Sequence, residues 1–233
     1  MSASVSCVSF APTSMMTIGP RWDGKIAANE LHLTVVLAGY EEASCTSTPS
    51  VWGHNGQTYS VTPTIDGKLV GGLNVGDGGY SMFGEMHCSS GQSHMATIGI
   101  MAHEIGHDLD APDLYNTATK GGGIGVWSLM ASGSWARLPG QKQGTTPSHP
   151  DAFVKYYEGW TTPRKLSGAQ LLGQVSTSDS VIRLGDNPGG VDWTFNKTSG
   201  LGEYFLVENR QKTGYDAGLP GCGLLIWHID ETR

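Results

Sequence analysis

Two histidines one helical turn apart constrain this chain more than any other feature. His103 and His107 have Glu104 between them, and they share a face only if the segment is α-helical. The neighbouring residues carry the matching period. Advancing about 100° per residue from His103, the side chains of Met95, Ile98, Met101, Ala102, Ile105 and Leu109 gather opposite the histidines. The pattern predicts a helix over 93–110 that buries this apolar back and turns both imidazoles to a cleft. Two neutral imidazoles so placed can ligate one zinc ion. Glu104, about 100° round from His103, reaches a water at that metal without being a ligand, which suits a general base.

A catalytic zinc takes three protein ligands and keeps a fourth position open. The helix supplies two, so the third must come after the chain turns away. Asp110-Ala111-Pro112-Asp113 provides that turn. Pro112 cannot extend a helix, and Asp110 tolerates the left-handed backbone region, though less easily than glycine. Asp113, ten residues after His103, can then return its carboxylate to the metal. Asp108 and Asp110 are rivals on the helix end, and Glu158 is a more distant one.

The chain has 233 residues, of which 38% are hydrophobic and 15% charged, and this fits one sizeable globular domain with at most a small appended part. Its 34 glycines argue for short elements and long loops. Leu31–Gly39 reads as a buried strand and Gly79–His87 as a second. Residues 40–79 and 111–146 are turn-rich. A second helix is expected over 147–159, with prolines at its start and glycine at its exit. Short strands follow at Val181–Leu184, Val191–Phe195, Glu203–Glu208 and Gly223–Ile229. The expected fold class is α+β, with a mixed part over 1–160 and a β-rich part over 161–233.

The net charge of -7, with no block of Lys or Arg, argues against a nucleic-acid partner. No apolar run is long enough to cross a bilayer, so no membrane insertion is expected. The N-terminus lacks the pattern of a signal peptide. Either the protein is cytosolic or the chain is a mature domain cut from a longer precursor, and the end at Arg233, soon after an apolar strand, favours the second. Four widely spaced cysteines, Cys7, Cys45, Cys88 and Cys222, fit one or two disulfides in an oxidising compartment. Asn196-Lys197-Thr198 matches a glycosylation sequon. Asp23–Glu30 resembles the second half of an EF-hand loop, but positions 1 and 3 would be Gly19 and Arg21. A calcium site there is degraded, and calcium is not assigned.

The extended motif His103-Glu104-x-x-His107-x-x-Asp110-x-x-Asp113 resembles that of the metzincin peptidases, in which an aspartate may stand for the third histidine. Trp127-Ser128-Leu129-Met130-Ala131-Ser132-Gly133 looks like the turn that sets a methionine beneath the metal. The wider match is to the immune inhibitor A-like family of secreted metallopeptidases. It is carried by Ala38-Gly39-Tyr40-Glu41, His107–Tyr115, the Met130 turn, Pro150-Asp151-Ala152-Phe153, Gly159-Trp160, Glu203–Arg210 and Leu219–His228. The family usually has glycine where this chain has Asp110. The resemblance implies a zinc endopeptidase acting outside the cell on extended protein substrates, often made with a propeptide. It also implies a twisted mixed sheet above a central active-site helix, and a C-terminal subdomain below. Cys7 lies too early to serve as an inhibitory zinc ligand.

On this reading zinc polarises water and the scissile carbonyl, Glu104 moves the proton, and Met130 forms a floor. The alternatives are a non-catalytic zinc-binding domain of the same fold, or a zinc hydrolase of a non-peptide amide. An extended substrate is most simply held as an added strand on a free sheet edge. Tyr80, Ser81, Met82, Phe83 and Gly84, just before the helix, are the expected edge, unless that strand has both sides paired.

Overall fold

The computed structural model describes residues 33–47, 49–57, 64–65, 68–69, 80–89, 91–119, 121–174, 180–186 and 202–231. The loop Asp23–Glu30, Cys7, the sequon at Asn196 and the strand expected over 191–195 lie outside them. The chain forms two compact units, Met1–Asp108 and Leu109–Arg233.

The first unit is built on a mixed sheet. Strand β1 (Leu33–Glu41) pairs in parallel with β2 (Ser50–Val51) and with β6 (Tyr80–Ser89). On its other side β6 pairs antiparallel with β3 (His54–Gly56) and then β7 (Gln92–Met95), giving the order β2-β1-β6-β3. The strands β4 (Thr64–Ile65) and β5 (Lys68–Leu69) form a separate antiparallel pair. Helix α1 (Ile98–Asp108) follows β7. A disulfide joins Cys45, beyond β1, to Cys88 in β6, while Cys222 has no disulfide partner among the described residues.

The β1–β6 register shifts between Leu37 and Tyr40, and the bulge falls opposite Gly84. A Cβ at Gly84 would lie 2.4 Å from the carbonyl carbon of Tyr40 and the nitrogen of Glu41. Only glycine admits that approach. Glu41, wholly buried, then accepts the Gly53 N–H at 2.8 Å.

The helix is shorter than its pattern predicts. Gln92–Met95 is strand, turned back on β6 through Gly91 at φ 78°, and Met95 is 79% exposed. The side on which α1 is buried also differs from expectation. Its buried residues are Gly99, Ile100, His103, Glu104 and Gly106, whereas Ile98 and Leu109 are exposed.

In the second unit a four-stranded sheet has the order β11-β10-β9-β8, formed by β8 (Arg164–Lys165), β9 (Ile182–Leu184), β10 (Glu203–Arg210) and β11 (Gly223–Asp230). β10 and β11 pair antiparallel without a break, from Glu203 opposite Asp230 to Arg210 opposite Gly223. Helix α2 (Ala152–Tyr157) is capped by Asp151, whose carboxylate accepts the N–H groups of Phe153 at 2.8 Å and Val154 at 3.2 Å. Ala152 joins Val181, Tyr204 and Leu206 in one apolar core, and Val154 joins Ala111 and Met130 in another. The architecture is α+β with few helices, and no described helix is long and apolar enough to cross a membrane.

Candidate metal centre

The start of α1 is set by its neighbour strand. His87 of β6 is buried, and its pKa is pushed down to about 4 by burial and then by His94, so the ring is uncharged at neutral pH, and its Nδ1 accepts the Thr97 N–H at 3.4 Å. Further along, three helix positions spaced by four meet the sheet. The Ile100 side chain lies against Gly53, Ser81 Oγ donates to the Glu104 carbonyl at 3.0 Å, and Asn55 donates to the Asp108 carboxylate at 3.3 Å. These contacts set the side of positions 100, 104 and 108 against the first unit's strands and loops, and Met101, Ala102 and Ile105 of the apolar stripe are only partly buried.

His103 Nε2 and His107 Nε2 lie 3.2 Å apart, with the two rings nearly perpendicular at 85°. Zinc–nitrogen bonds of about 2.0–2.1 Å at a tetrahedral angle would separate two ligand nitrogens by roughly 3.3 Å. The imidazoles are therefore already spaced as two zinc ligands. After the helix, Asp110 takes φ 73°, the left-handed conformation expected of the turn. The turn brings Asp113 round, and ligand atoms of His103, His107 and Asp113 all lie within 4.8 Å of one another. Two nitrogen donors and a carboxylate suit zinc. Neither Asp108 nor Asp110 nor Glu158 is in this cluster. Glu104 is buried at 4% exposure.

The segment around Asp113 is firmly held. Ala111 packs on Met130, the Leu114 N–H donates to the Met130 carbonyl at 2.8 Å, and the Leu114 carbonyl accepts from Ile124 at 3.1 Å. Met130 is 1% exposed. Its loop is tied internally: the Met130 N–H donates to Ser128 Oγ at 3.1 Å and Gly133 N–H to the Ser128 carbonyl at 3.0 Å. It is also tied to the α2 cap, because Ser148 Oγ donates to the Val126 carbonyl at 2.6 Å and Ser128 bonds Asp151. Burial pushes the Asp151 carboxyl upward, and the Ser128 bond opposes that rise.

The expected substrate edge is not an edge. Tyr80, Ser81 and Met82 are paired with β1 on one side and β3 on the other. Phe83 and Gly84 continue the same strand and are buried, and the space left by Gly84 is filled by β1 itself. Among the described residues the outer strand beside α1 is β3, which sequence reading left inside a turn-rich stretch.

Sequence reading also missed a buried ionic cluster made by Lys155, Glu208, Arg210 and Asp216. A signal for it exists. Alternation along β10 puts Glu208 and Arg210 on the same buried face as Tyr204 and Leu206.

A His–His–Asp cluster that could hold a metal ion, set in an α+β domain, is the kind of site a metallopeptidase requires. Residues 15–161 match the family described as Immune inhibitor A peptidase M6, catalytic domain, and the chain belongs to that family. Among its relatives is Immune inhibitor A of Bacillus thuringiensis subsp. alesti, 49% identical over 103 residues, covering 40% of this chain and 15% of that protein. Another is the pre-pro-metalloprotease PrtV of Vibrio cholerae serotype O1 (strain M66-2), 44% identical over 64 residues, covering 27% of this chain and 7% of that protein. The matched stretches are thus a small part of these relatives.

Proposed function

We propose that this domain is a zinc-dependent endopeptidase of metzincin type, acting outside the cell on extended segments of protein substrates. The observation that carries the reading is the convergence of His103, His107 and Asp113 within 4.8 Å on either side of a left-handed turn. Bound zinc supplies Lewis acidity, lowering the pKa of a water and polarising the scissile carbonyl. The protein's own groups do the rest. The Glu104 carboxylate accepts the proton of the attacking water and returns it to the leaving amine. Burial of Glu104 and His103 keeps bulk water from screening the charges that develop. Met130 is a rigid floor and not a ligand. Substrate backbone is added at the outer side of β3, since β6 is already paired on both sides over Tyr80–Met82. Residues 1–160 carry the catalytic groups and 161–233 support them within the same unit of function. The secreted location follows the relatives named pre-pro-metalloprotease and Immune inhibitor A.

The test is casein cleavage with and without a chelator, with zinc measured alongside. Glu104→Gln should retain zinc and lose about 10²–10⁴ of kcat, the usual share of general acid–base catalysis. Near wild-type cleavage by that variant would end the assignment of Glu104. Undiminished cleavage by the chelated protein would end the metal mechanism.

A further inference from the structure

Arg210 ends β10 with none of its side chain exposed, and all five of its N–H donors are used. Nε donates to Asp216 Oδ2 at 2.7 Å. One terminal nitrogen donates to the Trp127 carbonyl at 3.0 Å and to Glu208 Oε1 at 3.2 Å. The other donates to Asp216 Oδ1 at 2.5 Å and to the His149 carbonyl at 3.2 Å. The partners are themselves tied. Glu208 Oε2 accepts from Lys155 Nζ at 2.7 Å, Glu208 Oε1 accepts from Trp227 Nε1 at 3.0 Å, and Asp216 Oδ1 accepts the His149 N–H at 3.0 Å. Buried ion pairs of this kind are weak sources of net stability, and well-packed apolar replacements often do as well. What an apolar replacement could not do is grip two backbone carbonyls at once.

Those carbonyls begin two segments. His149 leads into Asp151 and α2, and Trp127 leads into Ser128 and Met130. Met130 in turn packs on Ala111 and accepts the Leu114 N–H, so the path runs from the guanidinium to the residues that bracket Asp113. We propose that the Arg210–Asp216–Glu208 cluster is a positioning device for the Asp113 carboxylate, acting through the Trp127–Met130 segment. The proposal rests on the reading of Asp113 as a metal ligand.

The experiment compares Arg210→Lys, Asp216→Asn and the control Leu206→Ala, which opens the wholly buried core around Tyr204 without touching either carbonyl. Amide exchange is followed by mass spectrometry on the chelated protein, zinc affinity by competition with a chelating dye, and ligand geometry by the visible spectrum of the cobalt(II) form. Arg210→Lys keeps the charge but not the planar fork. It should speed exchange in 111–116 and 126–134 at least tenfold, leave 98–108 unchanged, weaken zinc binding by about tenfold and shift the cobalt bands. Asp216→Asn should move the same readouts in the same direction by less, and it carries the test if the lysine variant fails to fold. Leu206→Ala should lower Tm while leaving zinc affinity and the cobalt spectrum as in wild type. Zinc affinity within twofold of wild type in the folded Arg210 or Asp216 variant overturns the proposal, whether or not exchange quickens. So does an equal loss of affinity in Leu206→Ala, because general loosening would then suffice. If Asp113→Ala binds zinc as tightly as wild type, the ligand reading fails instead. Exchange over 111–116 then still decides whether the cluster orders that segment.

Discussion

Glu158 closes α2, its N–H bonded to the Val154 carbonyl at 2.8 Å, and the residue is partly buried. Oε1 has no hydrogen-bond donor among the described residues. Burial, helped by the nearby Asp110 carboxylate, raises its pKa from 4.5 to about 7. Between those values the folded protein holds a proton that the unfolded chain has released. The stabilising contribution is therefore complete below pH 4.5 and is lost as pH rises through about 7. The shift, 7 − 4.5 or about 2.5, is worth roughly 3.4 kcal/mol at full strength. Glu158 is only partly buried, so screening reduces this to about 1–2 kcal/mol. Glu158→Gln keeps the shape and cannot titrate. Relative to wild type, the variant should gain about 1–2 kcal/mol between pH 4.5 and pH 8. The assay is urea unfolding followed by tryptophan fluorescence, with chelator present throughout so that no cation shifts the carboxyl. A stability difference that stays flat across that range would refute the reasoning. Measured zinc content should be unchanged in this variant, and its loss would make Glu158 the third ligand in place of Asp113.

Asp113→Ala should weaken zinc binding by at least tenfold in a dye-competition titration, whereas Asp110→Gly should leave it intact. Asp110→Gly should also raise stability by up to about 1 kcal/mol in chemical denaturation, since glycine adopts φ 73° without a Cβ clash. Gly133→Ala would put a Cβ 2.2 Å from the Ser128 carbonyl oxygen and 3.0 Å from Ser148 Cβ, so it should cost about 1–3 kcal/mol in thermal unfolding. Opening the Cys45–Cys88 bridge with paired serines should cost about 2–4 kcal/mol, read from the urea midpoint.

Much of the fold was legible because its strands are dense in β-branched and aromatic residues. β1, β6, β10 and β11 all fall close to where runs such as Leu33–Leu37 and Tyr204–Val207 place them. The turn into Asp113 was legible too, because proline excludes the helix at 112 and aspartate tolerates the conformation that residue 110 adopts. Pairing partners were not legible. Gln92–Met95 fits the phase of α1 well enough to extend it, and only its ladder with β6, Cys88 opposite Ser93 and Met86 opposite Met95, claims it as strand. The same limit applies to Tyr80–Gly84, where nothing local tells an interior strand from an edge. The ionic cluster joins residues far apart in sequence, from Trp127 to Asp216, and only the alternation on β10 hints at it.

The reversed burial of α1 has a physical reason that the helical wheel cannot supply. A wheel gives the phase of the apolar stripe but not which side of the helix meets the sheet. Here the meeting side is fixed by short side chains and polar contacts: Gly53 admits Ile100, the Ser81 hydroxyl reaches the Glu104 carbonyl, and Asn55 reaches Asp108. Positions 100, 104 and 108 recur every four residues, so they trace a stripe of their own along the helix. Turning Ile98 and Leu109 inward would rotate Glu104 and Asp108 off these partners. It would also carry His103, 5% exposed, into solvent, where charge on a bound metal would be screened. The exposure of Ile98 and Leu109, at 49% and 39%, thus accompanies the burial of His103 and Glu104 on the opposite side.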